Sequence, residues 1–187
     1  MVTKQTQTQV KSPRSATTNL ITTAVGSYAK PDYLTKARAD FAKGTIDRAE
    51  LDKLEKKATE FWIRKQEEIG LDVLVHGEME RGDMVAYFSG EEGGNAIKGM
   101  KLGGLVRSYG NRYYHKPIIF DKLQFPGPMT VDMWKYSQSL TDRPVKGMLT
   151  GAYTMVEWSF DEHYPTRRDA VMDMAKIIRE EVQALVA

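Results

Sequence analysis

Apolar, β-branched runs alternate with helical stretches along this chain, and each run ends abruptly in small or charged residues. Leu20 to Val25, "LITTAV", reads as a strand and stops at Gly26-Ser27. Asp32 to Lys43 is helical in composition and is stopped by Gly44. Asp47 and Glu50 form a capping pair for a second helix, where Leu51, Leu54, Ala58, Phe61 and Ile69 recur at helical spacing before Gly70. "LDVLVH" (Leu71 to His76) is the next strand, followed by the charged knot His76, Glu78, Glu80, Arg81 and Asp83. A further run lies near Pro117 to Phe120, and "VKGMLTG" ends in Thr150-Gly151. Pro128 to Leu140 reads as a helix. Pro165 opens a last amphipathic helix through Val171, Met174, Ile178, Val182 and Leu185.

This order predicts an α/β fold with a parallel sheet. In such folds the loops after the strand C-terminal ends build the active site, so Gly26-Ser27, His76-Gly77-Glu78 and Thr150-Gly151 are candidate site elements. Four strand–helix units are countable, and a complete (β/α)8 TIM barrel takes about 250 residues. The expectation for these 187 residues is therefore the first four βα units of such a barrel. A β-hairpin is inserted around Gly110-Asn111. "EEGGNAIKGMKLGG" reads as a Gly-rich, weakly structured insertion, and Met84 to Phe88 as a short helix or turn.

Residues 1–19 are polar, rich in Thr, Ser and Gln and free of acid, and read as a disordered tail ahead of a single domain over 20–187. Basic and acidic residues are interleaved and the net charge is +2, which argues against a nucleic-acid partner. No apolar run approaches the ~18 residues of a membrane span. With no cysteine, the chain has no disulfide, no thiolate metal ligand and no cysteine nucleophile, a composition compatible with the cytoplasm.

Four motifs occur in order: "TTAVGS" (Thr22 to Ser27), "GLDVLVHGEMERGDMVAYF" (Gly70 to Phe88), "SYGNR" (Ser108 to Arg112) and "SLTDRPVKGMLTGAYTMVEWSF" (Ser139 to Phe160). Together they resemble the catalytic barrel of cobalamin-independent methionine synthase, over roughly Leu20 to Ala187. The resemblance implies a methyltransferase of methionine biosynthesis. It would move a methyl group from methyltetrahydrofolate, or from a corrinoid as in short relatives, to the zinc-bound thiolate of homocysteine. Zinc suits that chemistry, because a free thiol with a pKa near about 8.5 is mostly protonated at neutral pH and coordination deprotonates it.

The resemblance also implies residue roles. Glu78 would accept the substrate ammonium, since a buried ammonium needs a negative acceptor. Val25, Gly26 and Ser27 would hold the substrate carboxylate through backbone N–H groups and the Ser27 hydroxyl. Arg112 and Tyr113 would contact the methyl donor, and Trp158 would stack on its flat ring. No catalytic acid or base is assigned. His76 and Glu78 share a face on an extended strand, but the family's zinc ligands fall in the other half of the barrel, so no metal ligand is assigned here. The completing half-barrel, or a second chain, is the expected partner. Glu80, Arg81 and Asp83 read equally as a surface salt-bridge cluster or as a polar shell around Glu78. Trp62 and Trp134 read as core.

Some residues depart from the family pattern, among them Tyr28-Ala29-Lys30-Pro31, Gly82, Ala152 and Tyr113, and they surround the donor and substrate pocket. One alternative reading is a related barrel methyltransferase acting on another thiol with a corrinoid donor. A second is a non-catalytic piece that binds a partner chain.

Overall fold

The computed structural model describes residues 20–91, 94–108, 110 and 113–187. The expected polar tail and Arg112 lie outside the described residues. Helices α1 (Asp32–Ala42), α2 (Arg48–Ile69), α3 (Val131–Ser139), α4 (Ala152–Glu157) and α5 (Arg167–Val186) surround short strands. The strands are β1 (Lys98–Lys101), β2 (Leu105–Arg107), β3 (Tyr113–His115), β4 (Ile118–Gln124) and β5 (Phe160–Asp161).

Helix boundaries follow the expected chemistry. The Asp47 carboxylate accepts a hydrogen bond from Glu50 N, and Gly70 closes α2 at φ 87° in the left-handed region. The Thr166 side chain accepts from Asp169 N at the start of α5.

The α/β character holds, but the parallel elements are fewer than the alternation predicts. Outside the named strands, three extended segments pair in parallel, at Thr23–Val73, Ser27–Gly77 and Leu74–Val145. The segment from Leu71 to Gly77 is central. Leu74 N donates to Pro144 O (2.8 Å) and Lys146 N to Leu74 O (3.0 Å), while Tyr28 N donates to Gly77 O (3.1 Å). Side chains complete what these short pairings leave open. Gln66 of α2 uses its amide as a surrogate strand, donating to Val75 O (2.8 Å) and accepting from Val75 N (2.9 Å). Asp72 accepts from both the backbone N and the hydroxyl of Thr22, each at 2.8 Å.

The run near Pro117 to Phe120 does not join this set. It belongs to β4, which pairs antiparallel with β1 and parallel with β5. The reason is apolar burial. Ile119 and Leu123 point from one face of β4 into a cluster with Phe88, Met155, Met174 and Ile177. β1 comes from the stretch read as weakly structured, and Met100 buries its side chain in the same cluster. The expected hairpin is present as β2 paired antiparallel with β3.

α1 and α2 form a second cluster around Leu34, Leu51, Ala58 and Met79. Trp134 packs beside Ile63, Leu74 and Val145, and its indole N–H donates to Val145 O at 2.7 Å. Trp62 stacks on Tyr28 with ring centroids 4.5 Å apart. Both tryptophans are thus packing residues. No described helix is long and apolar enough to cross a membrane.

Candidate functional site

The central segment and its neighbours deliver their C-terminal ends to one place. Val25 to Ser27, Glu78 and the stretch from Met148 to Gly151 line a common cavity of about 660 Å³. Trp158, just after α4, lines the same cavity. The three loop elements singled out by their position after strand-like runs therefore converge.

Glu78 sits in this cavity with an uncommon backbone. Gly77 has φ 88° and Glu78 has φ 58°, two successive residues in the left-handed region. For a glutamate that conformation costs on the order of 1–2 kcal/mol. It ends the extended run and swings the Glu78 side chain toward Gly26. A Cβ on Gly26 would lie 2.6 Å from Glu78 Oε1 and 2.7 Å from Met148 Cε, so the missing side chain is what admits the carboxylate. The Glu78 carbonyl accepts from Lys30 Nζ at 3.3 Å and from Arg81 N at 3.2 Å.

The charged residues after Glu78 are not a surface cluster. Glu80, Arg81 and Asp83 are each at most 7% exposed. Glu80 Oε1 meets His76 Nε2 at 2.9 Å and accepts from Arg81 Nε at 3.1 Å. The Arg81 guanidinium lies over the rings of Tyr87 (4.9 Å) and Phe88 (5.6 Å). Burial alone would raise the Glu80 pKa, but the charge and hydrogen bond of His76, with Arg81, outweigh it and hold the carboxyl well below its usual range. Asp83 Oδ1 accepts from Val85 N (2.8 Å) and Ala86 N (3.1 Å), capping the 3-10 turn Ala86–Ser89. His76 is thus a bonded interior residue, and it is not among the residues lining the cavity.

The donor-side residues separate. Tyr113 is 57% exposed and is not among the residues lining the cavity. The alternation of β3 turns its neighbour Tyr114 onto Trp158 instead, with centroids 5.3 Å apart and planes at 47°. Tyr114 is a site-adjacent residue that sequence reasoning missed. The signal for it was the strand period, which places 113 and 114 on opposite faces. Thr150 also contributes, its hydroxyl donating to Met84 O at 2.7 Å and tying two cavity loops together.

No group of three His, Cys, Asp or Glu able to hold a metal exists among the described residues. The side chains present therefore do not fit a zinc site.

Residues 20–187 match the family described as "Cobalamin-independent synthase, Catalytic domain". The chain belongs to this family. A relative from Chelativorans sp. (strain BNC1) is 49% identical over 166 residues, covering 89% of this chain and 21% of its own length. One from Parvibaculum lavamentivorans is 45% identical over 178 residues, covering 95% of this chain and 23% of the relative. Both are named 5-methyltetrahydropteroyltriglutamate–homocysteine methyltransferase. A B12-independent methionine synthase from Shewanella sp. W3-18-1, solved with selenomethionine, shares the fold with a TM-score of 0.72 at 22% identity. It is matched over 88% of this chain and 47% of that chain. A putative vitamin-B12 independent methionine synthase from Listeria monocytogenes gives 0.68 at 19% identity, over 90% of this chain and 50% of that one. This member of the cobalamin-independent synthase family thus spans about a fifth of the length of the curated relatives it matches and about half that of the solved structures.

Proposed function

We propose that this chain is the amino-acid-binding and donor-facing half of a methionine synthase-type methyltransferase barrel. The reaction is transfer of a methyl group to the sulfur of homocysteine, from methyltetrahydrofolate or a methylated corrinoid. The observation that carries the reading is the Glu78 carboxylate brought against Gly26 in the same cavity as Trp158.

The chemistry divides between the two sides of the cavity. Glu78 accepts from the ammonium of homocysteine in a charge-assisted hydrogen bond. The backbone N–H groups around Val25, Gly26 and Ser27 take its carboxylate. Those two anchors fix the amino-acid end and leave the side-chain sulfur free to reach the donor. A flat donor ring stacks on Trp158, which Tyr114 backs, and Arg112 and Tyr113 are kept as donor contacts on the resemblance alone. The sulfur then forms its bond to the methyl carbon as the donor's bond to that carbon breaks. Alignment of the reactants is the part of this displacement that the present residues supply. We assign zinc ligation to the completing half-barrel, whether joined to this chain or carried on a second one.

Calorimetry on this chain combined with a completing half tests the assignment. Glu78→Gln keeps the shape but loses the charge, and homocysteine binding is expected to weaken by about 1.5–3 kcal/mol. Gly26→Ala is expected to weaken it as well, by displacing the Glu78 carboxylate. Unchanged affinity in Glu78→Gln would refute the reading. On the donor side, Trp158→Ala is expected to cost about 1 kcal/mol or more of donor binding while homocysteine affinity holds. If Trp158→Ala instead unfolds the chain, the tryptophan belongs to the core and not to the donor.

A further inference from the structure

We infer that Glu80 is a positioning residue for Glu78, locking the left-handed turn that presents the Glu78 carboxylate to the cavity. The inference rests on the reading of Glu78 given above, but its test does not require a ligand.

An unfavourable φ persists only where the surroundings over-determine it. Here the surroundings form a clamp. Glu80 Oε1 joins His76 Nε2 (2.9 Å), two residues before Glu78, and Arg81 Nε (3.1 Å), three residues after it. The side-chain bond from 76 to 80 therefore closes a short loop around Glu78. Arg81 N, just beyond that loop, donates to Glu78 O (3.2 Å). Met79, fully buried between α1 and α2, anchors its middle, and Arg38 Nη1 donates to the Met79 carbonyl at 3.2 Å. All three clamp residues are buried, at 3% for His76, 7% for Glu80 and 4% for Arg81. Glu80 Oε2 and Arg81 Nη2 are buried without hydrogen-bond partners, so the clamp rests on Glu80 Oε1, whose two buried bonds resist the rearrangement that would let Glu78 relax to an extended or right-handed backbone. Glu80 is not itself among the residues lining that cavity, so it acts through the turn and through Arg81, which is.

A thermodynamic cycle on the full chain reads this directly by urea unfolding. In the otherwise native chain, Glu78→Gly removes the backbone penalty, and the folding equilibrium constant is expected to rise about tenfold. Glu80→Met fills the same space but has no acceptor oxygen for His76 Nε2 and Arg81 Nε; in that background the turn is already relaxed, and the same replacement is expected to change it by less than about twofold. A residue that merely stabilised the fold would leave the Glu78→Gly gain the same in both backgrounds, and that result would overturn the proposal. Should Glu80→Met not fold, His76 provides the second arm. His76→Asn withdraws the ring nitrogen from Glu80 and is expected to abolish the Glu78→Gly gain. His76→Gln places an amide nitrogen near the Nε2 position and is expected to restore it. Equal gains in His76→Asn and His76→Gln would likewise overturn the clamp. The homocysteine measurement on Glu78→Gln stands apart. Its failure sinks the functional reading, whereas failure of the cycle sinks the clamp alone.

Discussion

Glu181→Ala is expected to lower the unfolding free energy by about 3–5 kcal/mol, measured by urea denaturation. Glu181 is a fully buried carboxylate on α5. Its oxygens accept from Met129 N at 3.2 and 3.0 Å, from Thr130 N at 2.8 Å and from the Thr130 hydroxyl at 2.7 Å. Thr130 precedes the first residue of α3 and does not cap that helix with its own side chain. Glu181 therefore caps α3 from the far end of the chain, where a negative charge also meets the positive end of the helix dipole. Alanine would leave two backbone N–H groups and a hydroxyl buried without acceptors. Against a total of about 5–15 kcal/mol for an ordinary domain, that is a large fraction. Glu181→Gln keeps one acceptor oxygen and is expected to lose less. A loss below about 1 kcal/mol for Glu181→Ala would show that the contacts are incidental.

Stability should also fall as pH rises through neutrality, and Glu55 is the cause. This residue of α2 is fully buried. Arg48 pairs with its Oε2, Arg38 Nη1 stands 3.8 Å from Oε1, and Oε1 accepts no hydrogen bond. Burial pushes its pKa from 4.5 up to about 7 despite Arg48 and Arg38, and the charge on Glu80 adds to the rise. Because the folded value exceeds the unfolded one, the folded state favours the protonated carboxyl. The stabilising contribution is complete below 4.5 and is lost as pH climbs through about 7. The size is about 3 kcal/mol across that window. Glu80 works in the opposite sense, since its lowered pKa stabilises the fold above 4.5 and that contribution fades on acidification. Asp52, Glu91 and Asp132 face the same small cavity as Glu55, as does Tyr87, whose hydroxyl burial pushes far above this range. Glu55→Gln is expected to flatten the alkaline limb. Urea midpoints from about pH 5 to about pH 8 would show it, and parallel profiles for the two proteins would exclude Glu55 as the source.

The α5 helix shows where sequence reasoning reached and where it stopped. Its existence and the burial of Met174 followed from periodicity, and its start from Pro165. The inward face is Ala170, Met174, Ile177 and Glu181, rotated from the expected stripe, and Val182 is 45% exposed. A pattern that counts apolar residues cannot find a glutamate whose burial depends on α3. The same limit hid the clamp. Glu80 and Arg81 look solvated until Phe88, Tyr87 and His76 close over them. The convergence of Gly26, Glu78 and Thr150 was legible, because strand ends carrying small or charged residues mark one side of a parallel sheet. The short helix α4 left little trace, with six residues and no side-chain cap. β4 was misplaced because a short apolar run does not reveal its partner.

The left-handed backbone at Glu78 has a consequence for descent. Glycine is the residue that this geometry favours, so ordinary drift under selection for stability alone pushes position 78 toward it. A glutamate kept there opposes that drift in every generation. A lineage freed from the need for the carboxylate would gain by discarding it, and would have no route back that did not first cost stability. Position 78 is thus a marker that can be scored across relatives, separating those still under selection for the site from those that have kept only the fold.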